Sequence, residues 1–236
     1  MTLRSSMLAL VAVATIINGR AQQPPATPLL GRLDHLVYAT PDLGVGIDAI
    51  EKLLGVRATP GGQHPGLGTR NALVALGPSS YLEIIGPDPD QPRPAGRLRF
   101  GIDDLKAPRI VTWVAKGTDL EQVAKAAAER GVTLGPVIPG SRRRPDGVVL
   151  AWRYTDPNTV VGDRLVPFLI DWGTSPHPSA TAARGATIVD VRAEHPDAER
   201  IREMLAVLGL DLRVQQGPAP AIITTIDSPR GRVELR

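Results

Sequence analysis

The chain has 236 residues, 27 of them basic and 24 acidic, with a formal charge of +3 and no cysteine. The lack of cysteine removes any disulfide framework, thiolate nucleophile or Cys-type metal site. Only Lys52, Lys106, Lys116 and Lys125 are lysines and aromatic residues make up just 3%, so the basicity is poor support for a nucleic-acid surface.

At the N-terminus, Arg4, the apolar run 7–17 and the small-x-small triplet Gly19-Arg20-Ala21 read as a signal peptide over residues 1–21. The run is too short to span a bilayer. The expected mature chain, from Gln22, is secreted or periplasmic, has 215 residues and a formal charge of +1, and has no membrane span; an uncleaved anchor or a misplaced start is the alternative. Residues 22–31 are Pro-rich and read as a linker.

Residues 32–39 form an apolar, β-branched strand that runs into Pro41-Asp42, where the acid suits the positive end of a helix. Leu43, Ile47, Ile50 and Leu54 then recur at helical spacing and Gly55 stops the helix. Residues 71–76 and 81–85, joined through Gly77-Pro78-Ser79-Ser80, read as a hairpin. The succession returns with a strand at 109–116, helix entry at Thr118-Asp119, a weaker stripe of Leu120, Val123 and Ala127, a stop at Gly131, and strands at 134–138, 148–154 and 165–172. It returns again with a strand at 186–193, entry at Pro196-Asp197, a stripe of Ile201, Met204, Leu205 and Leu208, a stop at Gly209, and strands at 212–215, 221–226 and 232–236. The helix-entry aspartates stand 77 and 78 residues apart, which indicates one supersecondary unit used three times. The expected fold class is α+β: three βαβββ modules with mixed sheets curled around a cleft. Modules 32–87 and 109–173 make a domain over 32–176, and residues 185–236 make the third module. A single copy leaves one sheet face bare, so modules must pair.

His35 occupies the middle of the first strand, on the face that strict alternation assigns to Leu33 and Val37; Glu83 sits mid-strand beside Tyr81 and Ile85. A His and a Glu on two strands of one sheet are either half of a divalent-metal or substrate site, or a hydrogen-bonded structural pair. His64 precedes the glycine-rich stretch 65–69, a turn that either approaches a ligand or simply connects. Asn71 offers a donor and an acceptor to a polar substrate or to local backbone. The run Ser141-Arg142-Arg143-Arg144-Pro145-Asp146-Gly147 leads toward Trp152. Either Arg142 or Arg144 folds back to grip a carboxylate or phosphate against Trp152, or the run is a solvated hairpin tip. Trp113 and Trp172 read as core, His195 as a helix-entry residue and His177 as a linker residue. No P-loop, nicotinamide fingerprint or Gly-x-Ser-x-Gly elbow is present, so no nucleotide cofactor is expected.

The stretch Leu33-Asp34-His35-Leu36-Val37-Tyr38-Ala39, the β-α-β-β-β order and Tyr81-Leu82-Glu83-Ile84-Ile85 resemble the vicinal oxygen chelate superfamily. Residues 61–73, 141–147 and 167–172 resemble more closely its glyoxalase-like domain group. The resemblance covers nearly all of 32–236. It implies a metal-assisted lyase, isomerase or dioxygenase acting on a small, oxygen-rich substrate, with a His or Gln and a Glu from each of two paired modules as ligands. His35 and Glu83 match the first pair, whereas the second module offers Thr112 and then Ile170 or Asp171. The third module offers Asp190 and Glu234, but Arg192, Arg232 and Arg236 on the same faces suggest a surface ion-pair network instead. The rival to the enzyme is a metal-free protein that binds or sequesters a small molecule. A homodimer fits either reading.

Overall fold

The structure, a computed structural model, describes residues 28–236; the leader-like stretch 1–21 and residues 22–27 of the linker lie outside the described residues. Among the described residues no helix is long and apolar enough to cross a membrane. One helical turn, α1 (Leu29–Arg32), occupies the end of the stretch read as linker.

All seven residues of β1 (Leu33–Ala39) are buried, as suits a strand covered on both faces. In α2 (Leu43–Leu54) the Asp42 side chain accepts the Val45 N–H at the entry, and Gly55 takes the left-handed conformation at φ 71 at the exit. Three strands follow: β2 (Thr59–His64), β3 (Thr69–Gly77) and β4 (Ser80–Pro87). The sequence reading misses β2, because Thr-Pro-Gly-Gly-Gln-His carries no apolar alternation; pairing with β3 makes it a strand. The second unit comprises β5 (Arg109–Lys116), α3 (Leu120–Glu129), β6 (Val137–Arg143), β7 (Val149–Thr155) and β8 (Phe168–Asp171). Because β6 runs through Arg143, Arg142 lies in a strand and not at a hairpin tip. The third unit comprises β9 (Thr187–His195), α4 (Ala198–Val207), β10 (Arg213–Gln216), β11 (Ala221–Ser228) and β12 (Gly231–Leu235).

The first eight strands close into a barrel in the order β1-β4-β3-β2-β6-β7-β8-β5. Each half has the same internal order, with its first and last strands parallel. The halves join through the antiparallel β1–β5 ladder and, on the other side, the single pair Gln63↔Arg143. The last four strands form a separate sheet ordered β10-β9-β11-β12. Its element order is again β-α-β-β-β, but β9 pairs in parallel with the strand next after its helix, not with the last one. Apolar periodicity dictates which residues are buried; it leaves open which strand lies alongside. This sheet packs on the outside of the barrel, Ile188, Val191, Ile222, Ile226 and Leu235 sharing a core with Leu54, Val56 and Trp113.

Asp190 pairs with Arg213, Glu234 with Arg192 and Glu194 with Arg236 on the third sheet. A shared site between the first and third modules is therefore not formed. Asp190 and Glu234 are ion-paired as expected, but the partners differ from those that share their strand face: Arg232 pairs with Asp227 and Arg236 with Glu194.

The β1–β5 ladder steps from Leu33↔Ala115 to His35↔Val114 and leaves Asp34 without a partner. Such a bulge breaks the strict alternation of a strand. Leu33 packs in the outer core with Leu36 and Tyr38, whereas Val37 and Ala39 pack in the barrel interior. Leu33 therefore does not share a face with His35 as simple alternation requires. The segment Arg99–Asp104, a short 3-10 turn, sends Phe100 and Ile102 into the same interior cluster.

Candidate functional site

A cavity of about 220 Å³ opens inside the barrel and takes its walls from both halves. His35, His64, Asn71, Glu83, Arg142 and Trp152, six candidates drawn from five different strands and β1, all line it. No residue after Trp172 does, so the third sheet supports the barrel without shaping the cavity.

Asn71 is the hub of the polar wall. Its Nδ2 donates to Glu83 Oε1 at 2.5 Å and lies 3.3 Å from His64 Nε2, while its Oδ1 accepts from Arg142 Nη1 at 3.1 Å. The amide thus orients neighbouring side chains, a use that neither of the sequence alternatives describes. His64 Nδ1 is 3.0 Å from the Thr69 hydroxyl. Burial pulls the His64 imidazole down from 6.5 to about 4; Glu83 opposes the shift, while Arg142 and Arg99 add to it. A neutral ring with Nδ1 donating and Nε2 accepting satisfies all these contacts.

Arg142 is 3% exposed, yet among the described residues no carboxylate lies within 4.0 Å of its guanidinium. Burial lowers its pKa from the ordinary arginine value, with Tyr81 and Glu83 opposing. Space for the Arg142–Asn71 pair depends on Gly61, where a Cβ would stand 2.1 Å from Asn71 Oδ1 and 2.3 Å from Arg142 Nη1. Arg99, the second cation at the cavity, donates to the Tyr154 hydroxyl at 2.7 Å.

His35 Nδ1 lies 2.7 Å from Asp34 Oδ1, and its Nε2 lies 3.8 Å from Glu83 Oε2. The ring stacks on Tyr81 at 4.5 Å and meets the edge of Phe168 at 6.3 Å. Asp34 is fully buried; its Oδ2 accepts from Trp172 Nε1 at 3.1 Å and lies 3.3 Å from His177 Nε2. Burial by itself would raise the Asp34 pKa, but hydrogen bonds from His177 and His35 outweigh it and hold the carboxyl at about 2. Alternation hides Asp34 from a sequence reading, because only the bulge brings it to His35.

The opposite wall is aromatic: Phe100, Trp152, Tyr154, Phe168 and Trp172 all face the cavity. Trp172, read from sequence as core, is half-buried and lines the cavity, because its indole must reach Asp34. Trp113 does belong to the core, fully buried with its Nε1 donating to Leu165 O at 2.8 Å. Gly140 lets Trp152 lie flat against β6, since a Cβ there would stand 2.4 Å from its Nε1. Arg144, the other arginine considered as a grip, pairs with Asp146 at the turn and does not line the cavity.

The internal symmetry of the barrel tests the four-ligand metal site. Glu83 stands opposite Val37 in the first half; Phe168 stands opposite the corresponding Val114 in the second. The counterpart of Glu83 is thus Phe168, and neither Ile170 nor Asp171 takes that place. Thr112, the counterpart of His35, gives its hydroxyl to Arg164 O at 3.0 Å and borders a separate small cavity. Glu83 Oε1 is already engaged by the Asn71 amide. Among the described residues no group of three or more His, Asp or Glu side chains converges as a metal cage. The residues present do not make up the two-module ligand set.

A family model described as "Glyoxalase-like domain" matches residues 33–209. No curated protein sequence matches the chain. Among solved structures, a hypothetical protein from Staphylococcus aureus is similar at a TM-score of 0.59 and 14% identity, covering 86% of this chain and 98% of that one. Methylmalonyl-CoA epimerase from Mycobacterium tuberculosis is similar at a TM-score of 0.40 and 20% identity, over 67% of this chain and 98% of that one. The first likeness concerns the fold alone.

Proposed function

Starting from the premise that the chain belongs to the glyoxalase-like domain family of the vicinal oxygen chelate superfamily, we propose that its barrel cavity binds a small organic anion. The ligand's carboxylate pairs with Arg142, its apolar body lies against Trp152, Phe168 and Trp172, and His35 with Glu83 meets its polar, reactive end. One observation carries this reading: a buried guanidinium faces a cavity with no acidic partner within salt-bridge distance among the described residues. An unpaired buried cation is costly, and a planar fork of donors matches a carboxylate.

The chemistry that fits is proton transfer at His35 and Glu83, of the isomerase or lyase kind, without a complete protein-supplied metal set. Simple sequestration is the second reading, favoured by Thr112 and Phe168 at the positions of the second ligand pair.

Calorimetric titration with benzoate and phenylacetate, and with benzyl alcohol as the neutral control, tests the anion site. The two carboxylates should bind and benzyl alcohol should not compete. Arg142→Met should weaken carboxylate binding by about thirtyfold, or roughly 2 kcal/mol. Equal affinity in wild type and variant would end the proposal. Stoichiometric divalent metal that disappears in His35→Ala would replace the metal-free reading with the metal-assisted one. We also propose that the working chain is exported, on the strength of residues 1–21 alone; N-terminal sequencing of the protein expressed with its leader should find Gln22 first.

A further inference from the structure

The hydrogen-bond partners of Asp34 indicate how His35 is prepared for the ligand. We propose that Asp34 is a positioning residue that fixes the tautomer of His35, so that Nε2 enters the cavity unprotonated, as an acceptor for a protonated group on the bound anion. The inference rests on the cavity being the ligand site.

The argument starts from the bulge. Because the β1–β5 ladder skips Asp34, its carboxylate reaches the ring of its own neighbour, 2.7 Å from Nδ1. A carboxylate has no proton to give, so the ring must donate from Nδ1, and in the neutral ring the lone pair is then on Nε2. Nε2 is the nitrogen directed at Glu83 Oε2, 3.8 Å away. Two acceptors that far apart share no proton, so a ligand donor in the cavity can bond to Nε2 beside the Glu83 carboxylate.

The ring is also packed by two aromatic neighbours. Tyr81 stacks on one face at an interplanar angle of 17°, and Phe168 meets the ring edge-on at 78°. The carboxylate is itself held: its second oxygen accepts from Trp172 Nε1 and faces His177 Nε2, both beyond the end of β8. Asp34 therefore ties a wall residue of the cavity, Trp172, to the orientation of His35. Carboxylate–imidazole pairs of this kind set which ring nitrogen is free.

Long-range 1H–15N correlation spectra of the full chain, labelled with 15N-histidine, read the tautomer directly. Wild-type His35 should carry its proton on Nδ1, with that proton shifted far downfield. In Asp34→Asn the amide oxygen is claimed by the Trp172 donor, so the NH2 group must face His35 Nδ1. The proton should then move to Nε2. A merely structural Asp34 would leave the tautomer unchanged in any variant that folds. Should Asp34→Asn fail to fold, the wild-type spectrum still decides, because a proton on Nε2 there overturns the proposal. Trp172→Phe, which leaves the Asp34–His35 bond in place, should keep the wild-type tautomer.

This test is independent of the anion site. An Nε2–H tautomer in a protein that binds benzoate through Arg142 would remove the positioning role and leave the anion reading standing. An Nδ1–H tautomer in a protein that binds no carboxylate would do the reverse.

Discussion

The two halves of the barrel share a strand order and differ in what they send inward. From β1, β2, β3 and β4 come His35, His64, Asn71 and Glu83, a polar wall in which Asn71 hydrogen-bonds to both His64 and Glu83. From β6, β7 and β8 come Trp152, Tyr154 and Phe168, with Arg142 the single charged group. At matching registers the carboxylate of Glu83 gives way to the phenyl ring of Phe168, and the imidazole of His35 to the hydroxyl of Thr112. A symmetric scaffold has become a polarised cavity, suited to a ligand with one charged end and one apolar side. Backbone pairing sets the scaffold and is indifferent to side-chain chemistry, so divergence of the interior leaves the fold intact.

The most forceful way to break this asymmetry is Phe168→Glu, which restores a carboxylate at the position matching Glu83. It removes a ring that packs against His35, Phe100 and Tyr154 and places a second negative charge in the cavity. The expected cost is about 3 kcal/mol or more, seen as a lower midpoint in urea denaturation with an unchanged slope. A variant as stable as wild type that then retained a stoichiometric divalent ion would mean that the second half can still serve as a ligand wall.

Acid should affect the polar half first. An unfolded chain protonates His64 near 6.5, but the folded chain does so only near 4, so from pH 6.5 down to 4 the proton binds the unfolded state in preference. Stability is full above about 6.5 and falls as the pH drops, by about 3 kcal/mol in total at about 1.4 kcal/mol per pH unit. Asp34 continues the loss: its carboxyl titrates at 3.8 when unfolded and at about 2 when folded, so its contribution, on the order of 2 kcal/mol, disappears between those values. Urea unfolding from pH 7 to pH 4 should show the decline, and His64→Gln should flatten it. A flat wild-type profile would show that burial does not hold the His64 imidazole below its ordinary value.

Much of the scaffold is legible in the sequence because α2 and α4 carry their own start signals, although Asp119 at the entry of α3 makes no side-chain cap. Asp42 and Asp197 cap their helices with side-chain hydrogen bonds, and Gly55 ends the first one in the left-handed conformation. The polar residues His35, Asn71, Glu83 and Arg142 are recognisable by type in apolar surroundings, and they share one cavity. Register is what the sequence does not carry. Asp34 becomes visible as a partner of His35 only through a bulge, and Phe168 as the counterpart of Glu83 only through the β5–β8 ladder. Strand β2 has too many turn-forming residues to show an alternation, and the arginine run looks like a turn because its apolar neighbours are few. The different pairing in the third sheet is likewise a choice between edges that the apolar pattern leaves open.

The smallest expected effect concerns that third sheet, where charged residues lie outside and are paired. Asp190→Asn separates an acid from Arg213, and Glu234→Gln separates one from Arg192, in pairs whose members are a quarter to more than half exposed. Exposed pairs exchange one solvated arrangement for another, so each change should alter stability by no more than about 0.5 kcal/mol. Thermal melts should show almost no movement, and carboxylate binding in the barrel should not change at all. Loss of ligand affinity on Asp190→Asn would couple the third sheet to the cavity, against a lining drawn entirely from residues before Gly173. Null results in both variants, beside the loss of carboxylate binding expected for Arg142→Met, would locate binding in the barrel, with the third repeat as support.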